Sequence, residues 1–457
     1  MNVLLFSINT ETSPYPVYPQ GVALVAQSAR RAGHTVEIYD FWHHGDGEEV
    51  ETRLRTFSPD VVGISIRNID NVDIFTAQAH WTLDRLRMLV ERIKAWSGVP
   101  IVLGGAGFSL MPQSILEYCR ADCGVVGEGE DAFVDILDTL KQGQRVTGLI
   151  RRAIDLKKPF LPGKGENESL ALTYYAETGI YGIQTKRGCP FHCIYCSYPG
   201  LEGENLRFRD PQAVVDEIAY LKNKHGIDTY FFTDSVFNDP HNQFLEIAEA
   251  LIRSNLCINW SAYFRPGNIT QDAIDILVRS GLRCVEIGVD GTCDETLHSL
   301  AKGFDYSQVF AMNEFFFKAR IPQSIFIVYG GPGETPQTIE RGLVLQERLK
   351  GSMVLGFLGY RILPQTALQT LAIHEGMIER DDPLLEPVFY FSRQLHRNAV
   401  HARLMKAYAG RHDRIYPPQE GQERLEIMRR FGMRGFLWDK RIKFESTALA
   451  VKETAYD

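Results

Sequence analysis

The sequence predicts an α/β protein with a Rossmann-like N-terminal domain, a complete or partial β/α barrel of the TIM type, and a mainly helical C-terminal region. Over residues 1–145, short apolar runs alternate with helical stretches, as in a parallel, doubly wound sheet. The alternation resumes over residues 179–380 with six strand–helix repeats, which indicates a barrel. Residues 146–178 lack periodicity and are interpreted as a linker. Residues 381–457, richer in Arg, His and aromatic side chains, form the helical region.

In the N-terminal domain, buried-strand patterns alternate with amphipathic helices. The predicted strands are 2–8, 34–41, 59–66, 99–105 and 123–130. The predicted helices are 21–33, 81–96, 112–119 and 131–140. Ligands of such sheets bind beyond the carboxyl ends of the strands. Those ends carry "SIRN", "GGAGFS" and "GEGE", with the candidate residues Ser65, Gly104, Gly105, Gly107, Gly127 and Gly129. Glycines there allow close backbone approach to a ligand, although they could simply form tight turns.

The predicted barrel has its own strands and helices. Its strands are 181–188, 229–234, 258–264, 284–290, 323–330 and 356–363. Helical segments between them include 210–226 and 271–281. Barrels of this kind carry their chemistry at the carboxyl ends of the strands. A cysteine-rich loop directly follows the first strand, which is where such a barrel places a cofactor.

Composition and charge exclude several classes of protein. The net charge of −8 argues against a surface that wraps nucleic acid. No apolar run approaches the roughly 18 residues of a membrane span, and the N-terminus lacks the basic region of a signal peptide. Eight cysteines in 457 residues are not a disulfide framework. We therefore expect a cytoplasmic protein whose thiolates are free to bind metal.

Three of the cysteines, Cys189, Cys193 and Cys196, form the spacing C-x3-C-x2-C. Zinc could take these three with His192, but His192 and Cys193 are adjacent, which would strain a tetrahedral site. A 4Fe-4S cluster bound by three cysteines would leave one iron without a protein ligand, open to substrate or cofactor. The third alternative is that the cysteines bind no metal. Because three cysteines are too few for a closed zinc site and cannot all form disulfides, their number favours an iron–sulfur site.

This loop resembles the radical S-adenosylmethionine (radical SAM) superfamily, in which C-x3-C-x-aromatic-C binds a 4Fe-4S cluster. The resemblance implies that the free iron chelates S-adenosylmethionine and that reductive cleavage gives a 5′-deoxyadenosyl radical. Tyr195 would then place its ring beside the cluster.

Other segments match the superfamily in order. The resemblance gives Asp234 a contact with the methionyl end of S-adenosylmethionine, with Thr233 and Ser235 as lesser candidates; an N-cap is the alternative for Asp234. Arg265 in "SAYFRP" would face the cofactor, and Asp290 in "EIGVDG" would stand where the family has glutamate. The segment "IVYGGPGET" matches the one that lies against adenine, which makes its glycines cofactor candidates and Glu334 structural. The glycines are Gly330, Gly331 and Gly333.

Residues 1–140 resemble the cobalamin-binding domain of a large radical SAM class. The D-x-H-x-x-G motif, whose histidine binds cobalt in many cobalamin proteins, is missing. Arg67 could then lie under the lower face of cobalamin, where a guanidinium that stays protonated would discourage a lower ligand. The alternative is that Arg67 pairs with Asp70 or Asp73.

The resemblance implies a cobalamin-dependent methyltransferase of the class B type, acting on an unactivated carbon of a small molecule. It also implies an electron donor such as flavodoxin or ferredoxin. A second hypothesis keeps the radical enzyme but replaces methyl transfer by ring closure or rearrangement. A third is a non-catalytic iron–sulfur or zinc sensor. The C-terminal region would close the substrate pocket, with Tyr390, Arg393, His396 and Arg361 as candidate contacts.

Overall fold

The computed structural model of the protein describes residues 1–152, 167–442 and 444. Most of the predicted linker therefore lies outside the described residues. Among the described residues, every helix is too short or too polar to span a lipid bilayer.

The N-terminal domain is a six-stranded parallel sheet covered by helices on both faces. Its strands are β1 (Asn2–Ser7), β2 (Thr35–Asp40), β3 (Val61–Ser65), β4 (Ile101–Gly104), β5 (Cys123–Val126) and β6 (Gly148–Arg151). Its helices are α1 (Gln20–Arg31), α2 (Phe41–His44), α3 (Glu49–Phe57), α4 (Leu83–Trp96), α5 (Ala106–Leu110), α6 (Pro112–Cys119) and α7 (Glu130–Lys141). The strand order β2-β1-β3-β4-β5-β6 reverses direction between β1 and β3. A crevice at such a switch point is where doubly wound sheets bind ligands, and Arg67 follows β3 at this point.

The second sheet forms the barrel. Its region contains the strands β7 (Tyr181–Ile183), β8 (Lys186–Arg187), β9 (Arg207–Phe208), β10 (Thr229–Phe232), β11 (Asn259–Phe264), β12 (Leu282–Asp290), β13 (Gln323–Tyr329), β14 (Ser352–Leu358), β15 (Tyr360–Arg361), β16 (Phe389–Tyr390) and β17 (Arg414–Ile415). The helices are α8 (Glu168–Thr178), α9 (Tyr198–Glu202), α10 (Pro211–His225), α11 (Gln243–Ser254), α12 (Gln271–Arg279), α13 (Asp294–Ser299), α14 (Tyr306–Lys318), α15 (Pro336–Gln346), α16 (Ala367–His374), α17 (Arg397–Tyr408) and α18 (Pro418–Arg430). Seven parallel strands follow the order β7-β10-β11-β12-β13-β14-β17, and β7 does not pair with β17 within the described residues, so the barrel is partial.

Several predicted boundaries differ from the structure, most of them at very short strands. β6 extends the first sheet past residue 145, and α8 occupies the end of the predicted linker. The predicted strand 181–188 is divided, because Lys186 and Arg187 pair with β9 in an antiparallel hairpin instead of continuing β7. The region predicted as helical supplies β17, which pairs with β14. Two- to four-residue strands are too short to show a periodicity of their own.

One buried apolar cluster spans the N-terminal domain and the barrel region. Side chains of the N-terminal domain such as Leu86 and Phe108 belong to the same buried cluster as Tyr360, Ile362 and Tyr390 of the barrel region. Tyr390, expected near a substrate pocket, instead lies in this interface and donates a hydrogen bond to Glu375. The domains are therefore packed as in a single interior, with close contact over apolar surface.

A fully buried ion pair crosses this interface. Arg361 Nε lies 2.9 Å from Asp70 Oδ2, and both side chains are nearly inaccessible to water. The guanidinium also donates to the carbonyls of Ile362 and Leu384, while Asp70 accepts from the backbone N–H of Val72. Arg361 was expected to contact a substrate, but these bonds occupy it in holding the two domains together.

We expect Asp70→Leu to lower the free energy of unfolding by about 3–5 kcal/mol, because it leaves the Arg361 charge buried without a partner. The double variant Asp70→Leu with Arg361→Met should recover most of that loss. Urea unfolding followed by circular dichroism measures both. Glu340→Gln, which breaks an exposed pair with Arg403, is the control and should cost less than about 1 kcal/mol. Equal losses for Asp70→Leu and Glu340→Gln would contradict the role assigned to the buried pair.

Candidate active site

The strand that leads into the cysteine loop is fixed by Asp234. Its Oδ1 accepts from the backbone N–H groups of Thr185 (2.7 Å) and Lys186 (3.1 Å), and Oδ2 accepts from the Thr185 hydroxyl. The Lys186 ammonium lies 3.3 Å from Oδ2, and both side chains are buried. No helix begins at Asp234, so the N-cap alternative is wrong. Both carboxylate oxygens thus accept from Thr185 and Lys186, and the predicted contact of Asp234 with S-adenosylmethionine stays a prediction.

The cysteine loop itself packs against the chain that returns from it. Gly188 has φ +97°, and a Cβ there would lie 2.3 Å from the Asn205 carbonyl oxygen, so only glycine fits. The Cys189 N–H donates to the Gly203 carbonyl at 3.0 Å. Ser235, the other candidate on this segment, donates its hydroxyl to the Gly188 carbonyl at 2.9 Å. The loop is thus positioned by backbone hydrogen bonds before any metal is considered.

The three thiols of the loop share one environment. Burial raises the pKa of Cys189, and it raises the pKa of Cys196 to about 12. The charge of Cys193 raises both pKa values further. Thiols with such raised pKa values carry a proton unless a metal replaces it.

The donor set fits an iron–sulfur cluster better than a single ion. Within the described residues, no three Cys, His, Asp or Glu side chains converge on one point that could hold a metal ion, and His192 is exposed. Three cysteines that bind three different irons of a 4Fe-4S cluster have no need to converge on one point. Cys189, Cys193 and Cys196 would hold the cluster and leave one iron for S-adenosylmethionine.

Arg265, predicted to face the cofactor, lies near the thiols of the cysteine loop. Its guanidinium lies over the Phe191 ring at 3.9 Å and over the Phe304 ring at 4.9 Å from the ring centroids, and it donates to the Lys302 carbonyl. Its Nε is buried and has no hydrogen-bond partner among the described residues. Burial lowers the pKa of Arg265, while the nearby Cys193 and Cys189 raise it. An orphaned buried donor next to the cysteines fits an acceptor supplied by a bound cofactor.

Asp290, predicted to contact the cofactor, forms a hydrogen-bonded triad with Tyr195 and the buried Lys302, which sequence reasoning missed. Lys302 Nζ lies 2.6 Å from Asp290 Oδ2 and 3.1 Å from the Tyr195 hydroxyl, and Tyr195 donates to Asp290 Oδ2 at 2.5 Å. Burial lowers the pKa of Lys302, but the charges of Asp290 and Cys193 outweigh it and raise the pKa. Asp290 has φ +63°, a left-handed conformation that aims its carboxylate at Lys302. The triad therefore fixes the orientation of the Tyr195 ring, whose residue lies between Cys193 and Cys196 in the sequence.

The glycine-rich segment after β13 is packed against the protein's own side chains. Gly330 has φ +94°, and a Cβ there would meet the Phe391 ring at 2.3 Å; one on Gly331 would meet the Tyr360 ring at 2.9 Å. Gly333 has φ +75° with Ser299 Oγ 3.0 Å away. Packing within the protein is therefore enough to require glycine at these positions. The predicted contact of these glycines with adenine stays a prediction.

Glu334 holds this segment, which agrees with the structural role expected for it. The carboxyl is buried, accepts from the backbone N–H groups of Gly330 and Gly331, and accepts from the Thr292 hydroxyl at 2.5 Å. Burial raises the pKa of Glu334 to about 7.

Arg67 follows β3 at the crevice of the first sheet, where the strand order reverses. Its side chain is exposed and forms no hydrogen bond or ion pair with the part of the chain that the structure describes. Asp70 pairs with Arg361 and Asp73 accepts from Gln419, so the alternative pairings of Arg67 are not formed. Its charge lowers the pKa of four tyrosines, while burial raises the pKa of each of them. These are Tyr15, Tyr174, Tyr198 and Tyr263.

The glycine turn after β4 packs tightly on β3. Gly105 has φ +96°, and a Cβ there would lie 2.5 Å from the Ile66 carbonyl and 3.0 Å from Ser65 Oγ. Gly107 donates its N–H to the same carbonyl at 2.9 Å, and the Ile66 N–H donates to the Gly104 carbonyl at 2.9 Å. This geometry supports the tight-turn alternative for these glycines. It fixes the backbone from which Arg67 projects.

The "GEGE" turn binds the cysteine hairpin. Gly127 (φ +85°) and Gly129 shape the turn, and the glutamates beside them form ion pairs with arginines of β8 and β9. Glu128 pairs with Arg207 and, at 3.3 Å, with Arg187; Glu130 pairs with Arg187 at 2.7 Å. Burial would raise the pKa of Glu128, but the two arginines outweigh it and lower the pKa. These ion pairs join the carboxyl end of the first sheet to the cysteine loop.

Two family models match the chain in separate stretches. The model of the B12 binding domain matches residues 7–137, and the model of the radical SAM superfamily matches residues 183–343. The second match begins at β7 and contains the cysteine loop.

The chain belongs to the radical SAM superfamily.

It carries an N-terminal B12-binding domain. Curated relatives include the tryptophan 2-C-methyltransferase of Streptomyces laurentii, 24% identical over 79% of this chain and 73% of the relative. An anaerobic magnesium-protoporphyrin IX monomethyl ester cyclase of Synechocystis is 31% identical over 62% of this chain and 59% of the relative. Among solved structures, the radical SAM methyltransferase TsrM of Kitasatospora setae, with cobalamin and [4Fe-4S] cluster bound, has a TM-score of 0.82 at 22% identity, covering 96% of this chain and 97% of that one. These likenesses confirm the predicted two-domain fold.

We expect Arg207→Glu to weaken cluster retention, because it sets a negative charge against Glu128 and releases one side of the hairpin. Loss of a charge-assisted hydrogen bond costs about 1.5–3 kcal/mol, so loop opening should become roughly tenfold more frequent or greater. The rate at which a chelator removes iron from the reconstituted enzyme measures this opening. Glu340→Arg, the same kind of reversal at the exposed Arg403 pair, is the control. Equal iron-loss rates for Arg207→Glu and wild type would show that the ion pairs do not position the loop.

Proposed function

We propose that the protein is a cobalamin-dependent radical SAM methyltransferase that acts on a small molecule. The observation that carries the proposal is the arrangement of one crevice: three cysteines on the barrel side and Arg67 on the B12-domain side, joined by the ion pairs of Glu128 and Glu130. When bound, the cluster and S-adenosylmethionine supply radical chemistry and methyl groups, and cobalamin carries a methyl group to the substrate.

The chain's own residues do three things in this scheme. Cys189, Cys193 and Cys196 bind the cluster, and Arg265 offers an unpaired N–H to an acceptor beside it. Tyr195, held by Lys302 and Asp290, closes the loop side of the crevice. The apolar interface between the domains excludes water from the space between them.

Ring closure is the second candidate function. Magnesium-protoporphyrin cyclases are among the relatives, and one of them is 31% identical to this chain over 62% of its length. Methyl transfer is favoured because the tryptophan methyltransferase relative matches more of the chain, 79%, and more of its own length, 73%.

The proposal also includes a location and a reductant. The described cysteines are all free thiols, which agrees with a reducing cytoplasm. Reduction of the cluster needs an electron donor, for which a flavodoxin or a ferredoxin is suited.

The proposed function is tested with the reconstituted enzyme, reductant and methyl-labelled S-adenosylmethionine. We expect S-adenosylhomocysteine in proportion to the bound cobalamin, since cobalamin accepts methyl groups from S-adenosylmethionine in this class. Protein reconstituted without cobalamin is the control and should give none. Release of 5′-deoxyadenosine without S-adenosylhomocysteine would favour ring closure. If neither product forms, the protein is not such an enzyme. The variant with Ala at Cys189, Cys193 and Cys196 should bind no cluster iron.

Arg67 is proposed to face cobalamin and keep its lower position free of a protein ligand. We expect electron paramagnetic resonance of the bound Co(II) form to show no nitrogen coupling from the protein in wild type. Arg67→His should introduce that coupling, because neutral imidazole is a good ligand whereas guanidinium is not. Arg67→Lys keeps a charge and is the matched control, without coupling. If His at this position leaves the spectrum unchanged, Arg67 does not face the cobalt.

A further inference from the structure

The backbone of Arg265 is fixed where it leaves the carboxyl end of β11. The buried side chain of Asn238 accepts from the Arg265 backbone N–H at 2.9 Å and donates to the Arg265 carbonyl at 2.8 Å. These two hydrogen bonds join the segment after β10 to the segment after β11. The barrel itself therefore determines the point from which the Arg265 side chain projects.

The guanidinium of Arg265 is held against the segment between the first two cysteines. It lies 3.9 Å from the centroid of the Phe191 ring, and Phe191 is two residues from each of those cysteines. Its Nη1 donates to the Pro266 carbonyl at 3.3 Å, and its Nη2 donates to the Lys302 carbonyl. The buried Nε has no acceptor among the described residues. The side chain is thus positioned by ring packing and backbone carbonyls, and its Nε–H stays available to a bound group.

Arg265 differs from the other cations next to the cysteine loop because it has no carboxylate partner. Lys302 pairs with Asp290 at 2.6 Å, and both arginines of the β8–β9 hairpin pair with glutamates of the "GEGE" turn. Arg265 forms no ion pair with any residue that the structure describes. The charges that act on its pKa belong to Cys193, Cys189 and Tyr195, all within the loop. A partly buried cation without a counter-ion is costly, so this position favours a bound anion.

The cysteine loop supplies such an anion when it carries a 4Fe-4S cluster. The charge of three thiolates exceeds that of the oxidised core, and reduction adds a further negative charge. The reduction potential of a cluster depends on its net charge and on the hydrogen bonds that its sulfurs accept. An uncompensated guanidinium with a free N–H beside the loop acts on both quantities.

We propose that Arg265 is the counter-ion of the cluster: its charge stabilises the reduced state and raises the reduction potential, and its Nε–H donates to a sulfur of the cluster or of a cysteine. The predicted contact of Arg265 with the cofactor is thereby assigned to the cluster and not to S-adenosylmethionine. This inference rests on the cluster of the proposed function, but it does not depend on whether the enzyme transfers a methyl group.

The test is a reductive titration of the reconstituted protein without S-adenosylmethionine, followed by electron paramagnetic resonance of the reduced cluster. We expect Arg265→Met to lower the equilibrium constant for reduction at least about tenfold, a fall of about 59 mV for one electron, because the reduced cluster loses a compensating charge. Arg265→Lys keeps a cation at this position and should titrate within about threefold of wild type.

Arg348→Met is the matched control. The Arg348 guanidinium also lies over a phenylalanine ring, that of Phe310 at 3.8 Å, but it is exposed on the outer side of the barrel. Its replacement removes the same charge and the same kind of ring contact, and it should leave the potential at the wild-type value. Circular dichroism and iron content verify that each variant is folded and loaded.

Equal potentials for Arg265→Met and wild type would overturn the proposal. A fall in Arg265→Lys as large as that in Arg265→Met would overturn it too, because an effect of charge must follow the charge. Loss of cluster iron from Arg265→Met with retention in Arg265→Lys would support it, whereas loss from both would contradict it.

The same titrations distinguish a role toward S-adenosylmethionine. If Arg265 binds only S-adenosylmethionine, the variants and wild type will titrate alike, and only the affinity for S-adenosylmethionine will fall; this outcome counts against the proposal. Because no product is measured, the result is also separate from the product assay. Failure to form S-adenosylhomocysteine would remove the methyltransferase assignment and leave the role of Arg265 intact.

Discussion

The ion pairs between the "GEGE" turn and the cysteine hairpin are the constraint on which the rest of the site depends. Glu128 and Glu130 extend the carboxyl end of the first sheet, and Arg187 and Arg207 flank the loop that carries the three cysteines. Two cofactor sites that are far apart in sequence are thereby held at a fixed separation. Enzymes that transfer a group between bound partners need this positioning more than they need strong binding of either one.

The cost of those buried charges is offset by the way each one is paired. Burial opposes the ionised form of Glu128, and the two arginines outweigh it. Two other ion pairs combine a buried charge with an opposite charge in the same way. Arg361 pairs with Asp70 at the domain interface, and Lys302 pairs with Asp290 near the cysteine loop. Such pairs add little net stability compared with apolar packing, but they permit one relative placement of the parts they join. Apolar contacts alone would let the two domains slide against each other, whereas a guanidinium hydrogen-bonded across the interface would not.

Sequence reasoning predicted both sheets and the cysteine site because those features are local. Buried strands such as β1 and β13 are continuous apolar runs, and the cysteine spacing is contained in eight residues. Strands of two to four residues, β6, β8 and β17 among them, carry no such signal. The hydrogen bonds of Asp234 could not be predicted, because its partners Thr185 and Lys186 lie almost fifty positions earlier in the chain. Lys302 and Glu286 were missed for the same reason, since nothing near them in sequence marks them as buried.

Glu286 illustrates how strand register places a polar side chain in a way that composition does not show. Its neighbours in sequence, Val285 and Ile287, face the outer helices, so the segment has the alternation of an ordinary half-buried strand. Only the pairing of Tyr263 with Glu286 across β11 and β12, together with Trp438 from late in the described chain, gives the buried carboxyl its neighbours. A shift of one residue in that register would turn Glu286 into the core beneath the helices, where a carboxyl is not tolerated. The register that stabilises the barrel therefore also determines which polar side chains face its interior.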